Sequence, residues 1–242
     1  MHDLTQTDDG NYEGWRIAVI IPALNEEESI GKVLMDIPPV LNAFVLVVDN
    51  GSTDQTAERA RLGGAHIILQ NERGYGNACL AGLNFLIEQK EFISDGIVVF
   101  LDADYSDHPE EMKVLLQPII HQKTDLVIGS RVLGNHEKGS LQPQQRFGNW
   151  LAAKLIYWKY GFRYTDLGPF RAIRMDKLLA LKMEDRDFGW TVEMQIKAVK
   201  NRLRIAEVPV SYRNRIGQSK ISGTISGSVK AGIKILQTIF KN

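Results

Sequence analysis

The runs Ile17–Ile21, Phe44–Val48, Ile97–Leu101 and Leu126–Ile128 are apolar at every position. A strand with one wet face alternates apolar and polar residues, so a strand without alternation must be covered on both faces. Helical patterns fill the intervals, at about Asn25–Met35, Thr53–Leu62, Tyr75–Gln89 and Pro109–His121, and Ala65–Leu69 adds a further strand. Such strands separated by helices define an α/β fold, with a mostly parallel central sheet and helices on both faces. The 242 residues are enough for one such core and a small appendage.

Parallel sheets bind ligands beyond the carboxyl ends of their strands. Pro22, Asp49 and Asp102 all fall at those ends. Asp102-Ala103-Asp104 closes the apolar run at Ile97. Two carboxylates one residue apart repel, and burying them unpaired is costly. A hard divalent cation with oxygen ligands is their natural partner, and a cation held so openly serves a phosphate-bearing ligand. A solvated acidic loop is the plain alternative, and the second acid at Asp49 weighs against it.

Two other turns carry signals. Ile21-Pro22-Ala23-Leu24-Asn25-Glu26 ends a strand and opens a helix that Asn25 would cap, with Glu26, Glu27 and Glu28 in its first turn. Asp49-Asn50-Gly51-Ser52-Thr53-Asp54 is a strand-turn-helix in which Ser52 or Thr53 would be the cap. The glycine-rich Asn71–Ala78 turn, including Gly76, would allow close approach to a phosphate or sugar. It lacks the third glycine of the dinucleotide fingerprint and does not follow the first strand, which disfavours a dehydrogenase.

After Ser130 the pattern changes. Arg131–Gln145 reads as a mobile loop and Arg146–Tyr160 as a helix. Asp166–Arg174 holds a short strand, Trp190–Lys200 a helix and Arg204–Val210 a strand. A final helix from Gly223 places Ile225, Val229, Ile233, Leu236 and Phe240 on one face, with Lys230, Lys234 and Lys241 around it. That face suits a membrane surface, the chain's own domain or another subunit, self-packing being the commoner use.

Lysine plus arginine and aspartate plus glutamate both number 29, so no basic field points to nucleic acid. The single cysteine, Cys79, excludes an internal disulfide and fits a reducing, cytoplasmic setting. Its helical position among small residues marks it as packing. No run of 18 apolar residues exists to span a membrane, and Met1–Gly14 reads as a polar tail without a signal peptide's apolar stretch.

The ordered set IPALNEEESI, VVDNGSTD, NERGYGNA, LDADYSDHPEE, IGSR and EVPVSYRNRIGQSK resembles the family 2 glycosyltransferases. It is most similar to the branch of dolichol-phosphate mannose synthase and other polyprenyl-phosphate sugar synthases. The resemblance covers residues 16 to about 220 and implies a GT-A fold. The implied organisation is a flexible tail at 1–14 and a catalytic domain at 15–220. That domain divides into a nucleotide-sugar half at 15–130 and an acceptor half at 131–220, followed by an amphipathic helix at 221–242. It implies that Pro22, Leu24, Asn25 and Glu26 surround the base and ribose of a UDP- or GDP-linked sugar, with Asp49 on the base and Gly76 nearby. Asp102, Ala103 and Asp104 would lie at the donor diphosphate, the two acids holding Mg2+ or Mn2+. Arg215 and Lys220, with Ser219, would form a late basic loop over the diphosphate. Arg131 and Arg146 would bind the phosphate of a polyprenyl-phosphate acceptor.

The chain departs from that branch in two places. Ser106 stands where a glutamine often follows the second aspartate. The segment Thr165–Arg171 is one residue short, with Pro169 in a glycine position. The implied reaction is an inverting in-line displacement. A lipid phosphate needs no strong base, whereas a hydroxyl acceptor would, and Asp166 and Glu193 are the candidates. A nucleotidylyltransferase is disfavoured because Pro22–Asn25 replaces its glycine-rich loop. A non-catalytic sugar-nucleotide binding module stays open, as do oligomeric state and peripheral membrane contact.

Overall fold

The computed structural model describes residues 12–217 and the helix at 225–241. The strands are β1 (Arg16–Ala23), β2 (Phe44–Asp49), β3 (His66–Leu69), β4 (Gly96–Phe100), β5 (Leu126–Ser130), β6 (Arg171–Arg174) and β7 (Ile205–Pro209). Among the described residues they form one sheet in the order β3-β2-β1-β4-β6-β5-β7. All neighbours pair in parallel except β6, which runs antiparallel to both β4 and β5. The strand order reverses between β1 and β4, and such switch points open a crevice at the carboxyl edge.

The helices are α1 (Ile30–Asp36), α2 (Thr56–Leu62), α3 (Tyr75–Glu88), α4 (Phe92–Asp95), α5 (Met112–Gln122), α6 (Pro143–Tyr160), α7 (Met175–Leu181), α8 (Trp190–Lys200) and α9 (Ile225–Lys241). Alternate strand residues serve opposite cores. Ile20, Val48, Val98 and Phe100 pack with α3 and α8, while Ile21, Val47, Ile97 and Val99 pack with α1 and α5. Each fully buried aliphatic side chain contributes roughly 1.5–3 kcal/mol, so the two cores make the carboxyl edge a firm platform.

The expected helix boundaries shift near the edge. The first helix begins at Ile30 with Ser29 at its cap position, not Asn25, which sits in the left-handed region at φ 53°. The backbone N–H groups of Asn25, Glu26 and Glu27 donate instead to Ser52, Thr56 and Asp54 of the following turn. Asn25 Oδ1 accepts from Thr53 N at 2.8 Å. This cross-stitching holds residues 24–29 out of helix. It also delays α2 to Thr56, with Gln55 and not Ser52 or Thr53 at its cap.

Three further expectations change. Tyr12 is 1% exposed and pairs with Trp15, so ordered structure includes part of the expected tail; residues 1–11 lie outside the described residues. The Arg131–Gln145 segment is fastened by Tyr212 N to Asn135 O, Glu137 N to Tyr212 O and Asn214 N to Glu137, and α6 starts at Pro143. The terminal helix docks on α6 and α8 of its own domain. It buries Thr238 and Ile239 and leaves Ile233 and Phe240 of the expected stripe exposed, while the side chains of Ile225, Val229 and Lys230 lie outside the described residues.

Candidate active site

A cavity of about 390 Å³ opens at the β1/β4 switch point. Pro22, Ala23, Leu24 and Glu26 come from the end of β1, and Asp102, Ala103 and Asp104 from the end of β4. Burial and the neighbouring Asp104 push the Asp102 carboxyl up to about 7, and the Tyr75 hydroxyl donates to its Oδ1 at 3.2 Å. A rise of that size corresponds to an energy on the order of 4 kcal/mol against ionising Asp102 in this buried setting, burial being the larger cause and Asp104 the next. Asp104 is buried. Its Oδ1 accepts from the Ser106 backbone and hydroxyl, and its Oδ2 pairs with the Arg215 guanidinium. Ser106 therefore tightens the acid turn and does not replace the glutamine of the branch as an open ligand.

The acid pair fits a divalent cation, because two carboxylates at one cavity rim, Asp102 with its charge disfavoured first by burial and then by Asp104, are the oxygen donors such an ion takes. Among the described residues no three His, Cys, Asp or Glu side chains converge as a metal cage. Asp102 and Asp104 would be its protein ligands, leaving other positions to a diphosphate and water.

Several sequence-expected donor residues sit elsewhere. Asp49 is buried and does not line the cavity; its Oδ1 accepts from Ser52 N at 2.8 Å and shapes the turn. Its neighbour Asn50 lines the cavity instead. The Asn50 amide bonds Gln70 O and Glu72 O, and its carbonyl oxygen accepts from Gly74 N. Asn25 is occupied in the loop stitching. Gly76 does not line the cavity either, since a Cβ there would lie 2.0 Å from Asp185 O. Its bareness admits the segment after α7, and through that opening Asp187 and Phe188 reach the cavity wall. Arg73, Tyr75, Asp187 and Phe188 were not singled out from sequence. Lys220, Ser219 and Gln218 lie outside the described residues.

A second cavity, of about 640 Å³, runs along α6. Arg131, Arg146, Lys154 and Arg163 line it with Phe147, Trp150 and Tyr157. Asp166 stands at its inner end, 1% exposed, and accepts from Arg131 N, Nε and Nη2. Burial alone would raise the Asp166 carboxyl, but the Arg131 guanidinium and these hydrogen bonds hold it below the usual carboxylate range. Asp166 is thus an anchor and not a free base. The short Thr165–Arg171 segment is held from both sides. Asn149 of α6 bonds Thr165 O and Leu167 N, and the buried Arg171 guanidinium binds the Gly168 and Pro169 carbonyls.

Glu193 is corrected as a base candidate. It is buried on α8, lines neither cavity, and accepts from Glu184 N and Asp185 N while pairing with Lys197 at 2.8 Å. Asp107 is buried, and neither carboxylate oxygen has a hydrogen-bond partner among the described residues.

The fold is that of the GT-A glycosyltransferases, with an acid pair at the carboxyl edge of its sheet. Residues 18–180 match the family described as Glycosyl transferase family 2, and the chain belongs to that family and is a glycosyltransferase. It is 34% identical over 221 residues to an uncharacterized glycosyltransferase of Mycobacterium tuberculosis, covering 90% of this chain and 95% of the relative. It is 30% identical to the undecaprenyl-phosphate mannosyltransferase of Micrococcus luteus, over 90% and 92% of the two chains. The dolichyl-phosphate hexose transferase of Haloferax volcanii is 32% identical, over 88% and 89%. Glucosyl-3-phosphoglycerate synthase from Mycobacterium tuberculosis, solved with Mn2+, UDP and phosphoglyceric acid, shares the fold at TM-score 0.74 and 23% identity, over 94% and 78% of the two chains. No helix among the described residues is long and apolar enough to cross a membrane.

Proposed function

We propose that this glycosyltransferase moves a hexose from a UDP- or GDP-linked donor to a polyprenyl phosphate, with inversion and with Mg2+ or Mn2+. The carrying observation is the pair of cavities, one lined by Asp102, Asp104 and Arg215 and the other by Arg131, Arg146, Lys154 and Arg163. Arg131, on the wall of the cation-lined cavity, is among the charges that lower the Asp102 carboxyl in the acid-lined one. An anionic acceptor and a metal-bound donor would therefore meet across one wall.

The donor would lie with its nucleoside against Pro22, Leu24, Glu26 and Asn50 and its diphosphate at Asp102, Asp104 and Arg215. A divalent cation held by the two aspartates would stabilise charge on the departing diphosphate. Arg131, pre-set by Asp166, and Arg146 would grip the acceptor phosphate, whose geometry matches guanidinium forks. A phosphate oxygen attacks the anomeric carbon from the side opposite the leaving group. The bond to the diphosphate oxygen breaks with its electrons. A phosphate is already ionised near neutrality, which agrees with Asp166 and Glu193 being committed to other partners.

Two relatives named for polyprenyl-phosphate acceptors support this reading. So does the wall of α6, where Phe147, Trp150 and Trp158 are 60%, 55% and 78% exposed beside Arg146 and Lys154. Such a face suits a lipid surface. The test offers UDP-glucose and GDP-mannose, each with Mn2+ or Mg2+, to undecaprenyl phosphate and dolichyl phosphate in detergent. Metal-dependent formation of a lipid-linked hexose is expected. Transfer to 3-phosphoglycerate, with none to lipid, would reject the lipid acceptor.

A further inference from the structure

The segment between α7 and α8 reaches the donor cavity and is gripped from two sides. On one side lies the glycine turn of α3. Asn77 N donates to Arg186 O at 2.9 Å, and a Cβ on Gly74 or Gly76 would strike Arg186 O or Asp185 O at 2.2 or 2.0 Å. On the other side lies α9. Lys234 Nζ pairs with Asp185 Oδ2 at 3.0 Å, and a Cβ on Gly189 would lie 2.5 Å from Thr238 Oγ1.

Asp185 turns this grip into a fixed loop. Its Oδ1 accepts from Asp187 N at 2.8 Å and from Gly189 N at 3.1 Å, and its own N–H donates to Glu193 at 2.8 Å. The Asp187 backbone is thereby pinned while its side chain stands on the cavity wall with Phe188. The Asp187 carboxylate accepts a backbone hydrogen bond from Phe188, and among the described residues no side chain donates one to it. A carboxylate held this way accepts hydrogen bonds from two vicinal hydroxyls, and an adjacent aromatic ring covers the apolar face of a sugar ring.

Resting on the glycosyltransferase reading, we propose that Asp187 reads the hydroxyls of the donor hexose and that Lys234 of α9, acting through Asp185, positions it. Asp187 is then a specificity-determining contact and Lys234 a positioning residue outside the cavity. The terminal helix becomes part of donor selection although it touches no donor group.

The test compares dissociation constants for a nucleoside diphosphate and for its hexose conjugate, with Mn2+, by calorimetry. UDP with UDP-glucose and GDP with GDP-mannose are the probes. A hydrogen bond to a charged group is worth about 1.5–3 kcal/mol. Asp187→Ala and Asp187→Asn are therefore expected to weaken the hexose conjugate about tenfold or more, with the nucleoside diphosphate unchanged. Lys234→Gln should reproduce part of that change and Lys234→Arg should restore it, with circular dichroism confirming folded protein. An unchanged conjugate-to-diphosphate ratio in both Asp187 variants overturns the inference alone. The same holds if turnover falls while the ratio stays, because Asp187 would then act as a base. A wild-type protein that binds no nucleotide sugar overturns the inference together with the functional reading beneath it.

Discussion

Asp166 closes both carboxylate oxygens on Arg131, with Nε and Nη2 donating at 2.8 and 2.7 Å. The pair spans the loop after β5 and the segment before β6, so it fixes the inner end of the α6 cavity. Removing one partner of a buried pair costs about 3–5 kcal/mol because the other charge is left uncompensated. Asp166→Asn is expected to lower the melting temperature clearly and to abolish transfer to a phosphate acceptor. Retained stability would show the pair to be dispensable.

The same pair carries a pH signature. Asp166 is held below its unfolded value near pH 4, so its stabilisation is present above that pH and is lost as the pH falls through the lowered folded value. The stability gap between wild type and Asp166→Asn should be full at pH 7 and shrink steadily below pH 4. Chemical denaturation at several pH values measures it, and a gap equal at pH 3 and pH 7 would contradict the assignment.

Arg215 occupies Asp104, the acid expected to hold metal. An Arg215→Met protein should bind Mn2+ alone more tightly, by roughly three- to tenfold, because the guanidinium that competes for the buried Asp104 carboxylate is gone. It should bind UDP or GDP more weakly, for want of the guanidinium at the diphosphate. Asp104→Ala should lose metal-dependent donor binding with the fold intact. Wild-type affinity in that variant, read by electron paramagnetic resonance of Mn2+, would sink the metal assignment.

Gly76→Ala would drive a methyl group into the Asp185 carbonyl. Overpacking of this kind costs about 1–3 kcal/mol. The variant should melt earlier and bind donor poorly, since the strain displaces the segment that carries Asp187. Thermal shift with and without nucleotide sugar reads both effects, and an unchanged profile would mean that the loop yields freely.

The aromatic face of α6 should matter to lipid and not to folding. Replacing Phe147, Trp150 and Trp158 together with serine removes exposed side chains only, so the melting temperature should move little. Flotation with anionic liposomes should be lost. Flotation equal to wild type would remove α6 as the docking face.

The sheet and the acids at its rim were legible because apolar runs without alternation admit few arrangements. The helices α3 and α8 were legible for a similar reason, their faces being long and regular. The loop contacts were not. Asn25 looked like a helix cap, yet its own N–H and that of Glu26 donate to the Ser52 and Thr56 hydroxyls, 27 and 30 residues away. Asp49 and Asn50 stand side by side, and only the three-dimensional turn decides which of them faces the cavity. Glu193 stood as a candidate base on a predicted helix, yet its carboxylate is taken up by Lys197 and by backbone N–H groups that no pattern announces. Asp187 carried no signal beyond a charged residue before an aromatic. Its importance comes from the glycine turn of α3, more than a hundred residues earlier in the chain.

The antiparallel course of β6 has a consequence for how this scaffold diversifies. The chain leaves the carboxyl edge at Ser130 and returns to the same edge at Arg171, where Gly129 N bonds Phe170 O and Ile128 faces Arg171 across the ladder. Everything between those points, α6 and the Asp166 turn included, is a closed excursion whose two ends sit side by side. One ladder fixes both ends of that excursion, so the register of β5 against β6 does not depend on the length of chain between them. Under the proposed function this is the stretch in which acceptor choice would be set, and its tie to α9 would make a change there felt at the donor loop as well.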